Sequence, residues 1–147
     1  VPSSIKKTHA TLLEQIHKMT LYKDSSGRVA IKLEGMMEHH FKEEEDFLLP
    51  PLGLLPLLAN DQIPEQSKEI IHLSEKVKSQ LNHMSAEHQL IKAYLEELKQ
   101  ASNIENLPEI IEFENEVFKH ATSEEEVFFP VSILIGEYVK LKSVIKP

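Results

Sequence analysis

Apolar residues recur every three or four positions along most of the chain, the spacing that lines one face of an α-helix. In the first such stretch the stripe is Ile5, His9, Leu12, Ile16 and Met19. The second is Ala30, Leu33, Met37, His40, Glu44 and Phe47, and the third Ile70, Leu73, Val77, Leu81, Met84, His88, Ile91, Leu95 and Leu98. The fourth is Ile110, Phe113, Val117, His120, Glu124 and Val127. These stripes predict helices over Ser3 to Tyr22, Arg28 to Leu49, Pro64 to Ala101 and Leu107 to Phe129. Ser3 or Ser4 is the expected N-cap of the first helix, and Lys23 to Gly27 the turn that ends it. The third is long for a globular helix and leaves room for a kink or break. Pro50 to Pro64 reads as a proline-rich connector packed on the bundle end, and Pro130 as a bend leading to a shorter fifth helix, Val131 to Lys146. Short loops between long helices favour antiparallel neighbours. The expected fold is therefore all-α: an up-down four-helix bundle with a short additional C-terminal helix, residues 1–147 forming one domain.

Composition narrows the chemistry. A chain of 147 residues can bury one core, and only 4 glycines and few β-branched runs favour helix over sheet. The net charge of −8 argues against a nucleic-acid partner, because an acidic surface repels phosphates. No membrane partner is expected either: the longest apolar stretch, Phe47 to Ala59, is broken by three prolines and a glycine. Val1 to Ala10 carries no apolar signal core, so cytoplasm is the expected compartment, while Val1 itself points to a trimmed start. With no cysteine and with 8 histidines and 24 acidic residues, any metal site must be built from imidazole and carboxylate.

The stripes contain that material. Each helix places one histidine on its apolar face: His9, His40, His88 and His120. Two helices add a glutamate one turn later, Glu44 and Glu124. A buried carboxylate without a partner costs several kcal/mol, and no Lys or Arg shares the stripe at that level. A single histidine on an apolar face is ordinarily a hydrogen-bonded core residue. Four on four helices, two of them followed by Glu, call for cations, and a pair of metal ions would use every lone pair. The other histidines, His17, His39, His72 and His83, sit beside the stripes. Most of the acidic runs Glu43 to Asp46 and Glu124 to Glu126 read as solvated faces. Glu14 to His17 and Glu69 to His72 match a Glu-x-x-His spacing but lie off the seams, and are read as coincidence.

An internal repeat reinforces this reading. His40 to Pro50 aligns without a gap to His120 to Pro130 in the frame His-x-x-x-Glu-Glu-acidic-apolar-apolar-apolar-Pro. His9 precedes His40 by 31 residues and His88 precedes His120 by 32, so each half supplies one His and one His-x-x-x-Glu. Two such hairpins about an approximate two-fold axis would give each metal two histidines and let both glutamates bridge.

With these motifs, the Glu87-His88 pair and the early His9, the chain resembles the hemerythrin-like (HHE cation-binding) family from His9 to about Pro130. The resemblance implies an up-down four-helix bundle around a non-haem di-iron centre with an oxo or hydroxo bridge. It implies that His9 and His40 bind one iron, that His88 and His120 bind the other, and that Glu44 and Glu124 bridge. Manganese and zinc are compatible with the same donors. The oxygen-carrying members use a fifth histidine one turn from the third-helix ligand; here those positions hold Met84 and Lys92, and His83 points about 140° away round the helix. They also carry Asp at i+5 where this chain has Glu124 at i+4. The ligand set is closer to the iron-sensing and nitrosative-stress-repair branches, although the repair branch's cysteine-containing N-terminal segment is absent. An open position on each iron is expected to suit oxygen, nitric oxide or peroxide, and to favour reactive or labile iron over reversible oxygen carriage. The leading expectation is a protein that binds or senses such a ligand, or iron itself. The alternatives are a di-iron enzyme reducing peroxide or oxygen, and a metal-free helical interaction module.

Overall fold

The computed structural model describes residues 1–145. Among them every regular element is helical: α1 (Ser3–Met19), α2 (Ser25–Glu43), α3 (Leu55–Ala59), α4 (Ser67–Ala101), α5 (Leu107–Ser123) and α6 (Phe129–Ile145). α1, α2, α4 and α5 form the expected bundle, each touching two of the others. α6 has 17 residues, as many as α1, and packs on the N-terminal half of α4, where Ile135 and Val139 join Ile70, Val77 and Met84. Gly136 makes that approach close: a Cβ there would lie 1.7 Å from Ser74 Oγ, so Ser74 is buried where the stripe pattern put Leu73. No described helix is long and apolar enough to cross a membrane.

The helices differ from expectation in three places. α1 is already helical at Ser3; Pro2 occupies the cap position and no side chain caps it. α2 begins at Ser25, because the Asp24 carboxylate accepts the Ser26 N–H at 3.0 Å and so caps a helix where the turn was expected to continue. The other Asp24 oxygen accepts the Asn103 N–H at 3.1 Å, tying the two loops at that end together. α4 runs 35 residues without a break, about 50 Å. Lys146, the expected end of the last helix, lies outside the described residues.

A further departure bears on the site. α2 and α5 each pass into a single π-helical turn, Glu44–Leu48 and Glu124–Phe128, in which the Leu49 and Phe129 N–H groups reach back five residues to the Glu44 and Glu124 carbonyls. Such a turn inserts one residue and rotates everything after it. Phe47 and Val127, expected in the stripes, are therefore exposed, while Leu48, Leu49 and Phe129 are buried.

Two apolar clusters result. One, built on Leu12, Ile16, Leu33, Met37, Leu95, Ile110 and Phe113, fills one end of the bundle. The other, built on Ile5, Leu48, Leu52, Ile70, Met84 and Phe129, fills the end that carries α6. Between them lies a polar layer.

Candidate metal centre

That layer consists of the six residues singled out by the stripes. His9, His40, His88, His120, Glu44 and Glu124 are all buried, and the two glutamates have no exposure at all. Each histidine comes from a different bundle helix, and each glutamate opens a π turn one turn below its histidine.

The donors fall into two overlapping groups, His9, His120, Glu44 and Glu124, and His40, His88, Glu44 and Glu124, with the donor atoms in each group within 4.8 Å of one another. His9 Nε2 faces His120 Nε2 at 2.9 Å. His40 Nε2 is 3.1 Å from Glu44 Oε1, and His88 Nε2 is 3.0 Å from Glu124 Oε1. His120 Nε2 is 3.2 Å from Glu124 Oε2. Both glutamates are thus common to both groups. The histidine pairing differs from the one the family resemblance implies: His9 meets His120, not His40, and His88 meets His40. The reason is Phe41. Its ring stacks on His9 at 4.0 Å and 5°, and lies 6.0 Å from His40, so it fills the α1–α2 side and leaves the two imidazoles to meet partners on their other neighbouring helices, α5 and α4.

Three of the imidazoles are held from behind by carboxylates. Nδ1 of His9 donates to Glu45 at 2.9 Å, Nδ1 of His40 to Glu87 at 3.0 Å and Nδ1 of His88 to Glu125 at 3.1 Å. With the proton on Nδ1, the Nε2 lone pair faces the layer, the arrangement a metal-binding histidine uses. Burial, reinforced by the neighbouring imidazoles, holds His40 and His120 down to about 3, and burial also lowers His88. These rings stay neutral and keep their lone pairs. Burial pushes the Glu124 carboxyl up to about 7.

The layer is unsatisfied as a hydrogen-bond network. Both Glu44 carboxylate oxygens, Glu124 Oε2 and His40 Nε2 are buried without a hydrogen-bond partner, and among the described residues no Lys or Arg pairs with either glutamate. Buried polar atoms are otherwise nearly always paired. Converging neutral imidazole lone pairs and orphaned carboxylate oxygens fit cations held in common, so the residues present suit a metal pair.

Beside the layer is a cavity of about 10 Å³, lined by His40, Phe41, His88, Lys92, His120 and Ala121 among others. That is close to the room one water-sized molecule needs. Met84 packs in the apolar cluster next to α6, so neither neighbour of His88 along the helix supplies a fifth imidazole.

The remaining histidines stand outside, as the stripes implied. His17 pairs with Glu34 at 2.7 Å on the surface, His72 is exposed, and His39 and His83 face outward between α2 and α4. What the stripes missed is the outer set Glu45, Glu87 and Glu125. The doubled Glu in each repeat, and the Glu directly before His88, were the available signals.

Comparison with known proteins identifies the family. The family model described as Hemerythrin HHE cation binding domain matches residues 3–132. No curated protein and no solved structure matches the chain.

Proposed function

From the premise that the chain belongs to the hemerythrin HHE cation-binding family, we propose that its buried cluster holds two iron ions and binds or senses a small ligand such as oxygen or nitric oxide. His9 and His120 serve one ion, His40 and His88 the other, with Glu44 and Glu124 shared. Iron held by these residues would supply a redox-active centre able to bind a diatomic molecule. The chain's own residues do the rest. Glu45, Glu87 and Glu125 fix the tautomer and orientation of three histidines. The apolar clusters on either side keep bulk water away from the layer.

The observation that carries the small-ligand reading is the cavity. It touches His88, His120 and Glu124, it is small, and most of its wall is apolar: Met37, Phe41, Ile91, Val117, Phe118 and Ala121. Such a space is on the scale of the smallest ligands and excludes most organic substrates. Ala121→Leu fills it from the wall without replacing a proposed ligand. The variant should keep about two irons per chain by elemental analysis while nitric oxide binding to the reduced protein, followed optically, weakens by an order of magnitude or more. Wild-type nitric oxide binding in the filled variant would remove the cavity from the function. A wild-type protein purified with under one metal per chain would remove the metal centre itself.

A further inference from the structure

A second cluster lies one residue out of register with the first. His39 and Glu43 stand one turn apart on α2, and His83 and Glu87 one turn apart on α4. The two helices run antiparallel here, as the contacts of His40 with Glu87 and of Glu43 with His83 require, so the two His-x-x-x-Glu pairs face each other head to tail. His39 Nε2 is 3.3 Å from Glu43 Oε1; His83 Nε2 is 3.5 Å from Glu43 Oε2 and 3.4 Å from Glu87 Oε1. One donor atom each of His39, Glu43 and Glu87 falls within 4.8 Å of the others.

These separations have a chemical meaning. They exceed the usual 2.9–3.0 Å or so of an N–H···O bond. Two donors about 2.1 Å from one ion at a tetrahedral angle lie about 3.4 Å apart. The ordinary surface pair His17–Glu34, by contrast, closes to 2.7 Å. Glu43 Oε2 is shielded from solvent and has no hydrogen-bond partner. Among the described residues the only cationic groups that pair with Glu43 or Glu87 are histidines.

We propose that His39, Glu43 and Glu87, joined by a turn of the exposed His83 side chain as fourth donor, form a separate mononuclear site for a divalent transition-metal ion on the α2–α4 face. Two imidazoles and two carboxylates are the donor set of zinc, ferrous iron or manganese, and they select against the all-oxygen preference of calcium and magnesium. Glu43 and Glu87 are the inner donors, partly buried; His39 and His83, more exposed, close over the ion from solvent. Glu87 links the site to the interior, since the oxygen that faces His83 is 3.0 Å from His40 Nδ1.

Zinc is the probe. Protein carrying its resident metal is dialysed against micromolar zinc, and zinc and resident metal are counted separately per chain. The wild type should take up one zinc more than His39→Ala or His83→Ala, with its resident metal unchanged, and His17→Ala should behave as wild type. Both histidines are exposed within helices, where alanine is the best helix former, so the variants keep the fold. Equal zinc uptake by the wild type and both variants, or uptake only in exchange for resident metal, overturns the site. The reading of the buried centre fails separately: a chain with no resident metal would still show the one-zinc difference.

Discussion

The two halves that build the buried layer supply the same donors and surround them differently. In the first half His40 is followed by Phe41, whose ring stacks on His9 and seals that side. In the second, His120 is followed by the small Ala121, which leaves room for a cavity that Phe41 also lines. His40 has Glu87 behind it; the residue at the matching place for His120 is Thr8, whose hydroxyl instead donates to the Ser4 carbonyl at 3.0 Å. No described carboxylate supports His120 Nδ1. Under the proposed reading the ions need the same three donors from each half, and both halves supply them. Under the same reading a ligand needs room beside the ions, and Ala121 in place of a ring leaves it.

The largest test of the shared part is Glu44→Ala beside Glu124→Ala. If both carboxylates serve both ions, either change should empty the whole centre, from about two metals per chain to nearly none, while His17→Ala and His72→Ala keep both. Loss of a single metal from either variant would show that the halves act separately.

Phe41→Ala probes the divergent part. Removing a buried ring should cost about 3–5 kcal/mol in chemical denaturation and open a space on the His9 side. Nitric oxide should then bind faster to the reduced protein; an unchanged association rate would mean that Phe41 only packs.

Titration of the metal-free protein weighs the imidazoles against the carboxyl. His40 and His120 fall from 6.5 to about 3, so their contribution to stability is complete above 6.5 and is lost as pH falls below it. Glu124 rises from 4.5 to about 7, so its contribution is complete below 4.5 and is lost as pH rises toward 7. Between pH 5 and 6.5 two histidines outweigh one glutamate, and stability should increase with pH by about 2 kcal/mol. Glu124→Gln should steepen that rise. A flat profile in urea unfolding would contradict the buried, neutral state of the rings.

The smallest effect concerns the outer carboxylates. Glu125→Ala takes the support from His88 and should weaken metal affinity by about 10- to 100-fold in chelator competition. Thr8→Ala, at the corresponding place behind His120, should change it little.

Much of this was legible along the chain. The six donors, four bundle helices and the repeat follow from stripes of period 3.6, and buried carboxylates without a counter-ion imply cations wherever they occur. The errors have local causes. Phe47 and Val127 were expected inside because a constant period was assumed through Glu44 and Glu124, where the helix widens by one residue. Glu45 and Glu125 read as solvated for the same reason.

What the sequence alone determined is which side chains lie on the buried faces and that they are imidazoles and carboxylates, because a helix has one periodicity and a hydrocarbon core rejects unpaired charge. Which histidine meets which, the open side at Ala121, the outer carboxylates, and the pairing of His39 with His83's helix were decided only by the tertiary structure. Each depends on how helices distant in sequence are rotated and set against one another, and no spacing within a single helix carries that information.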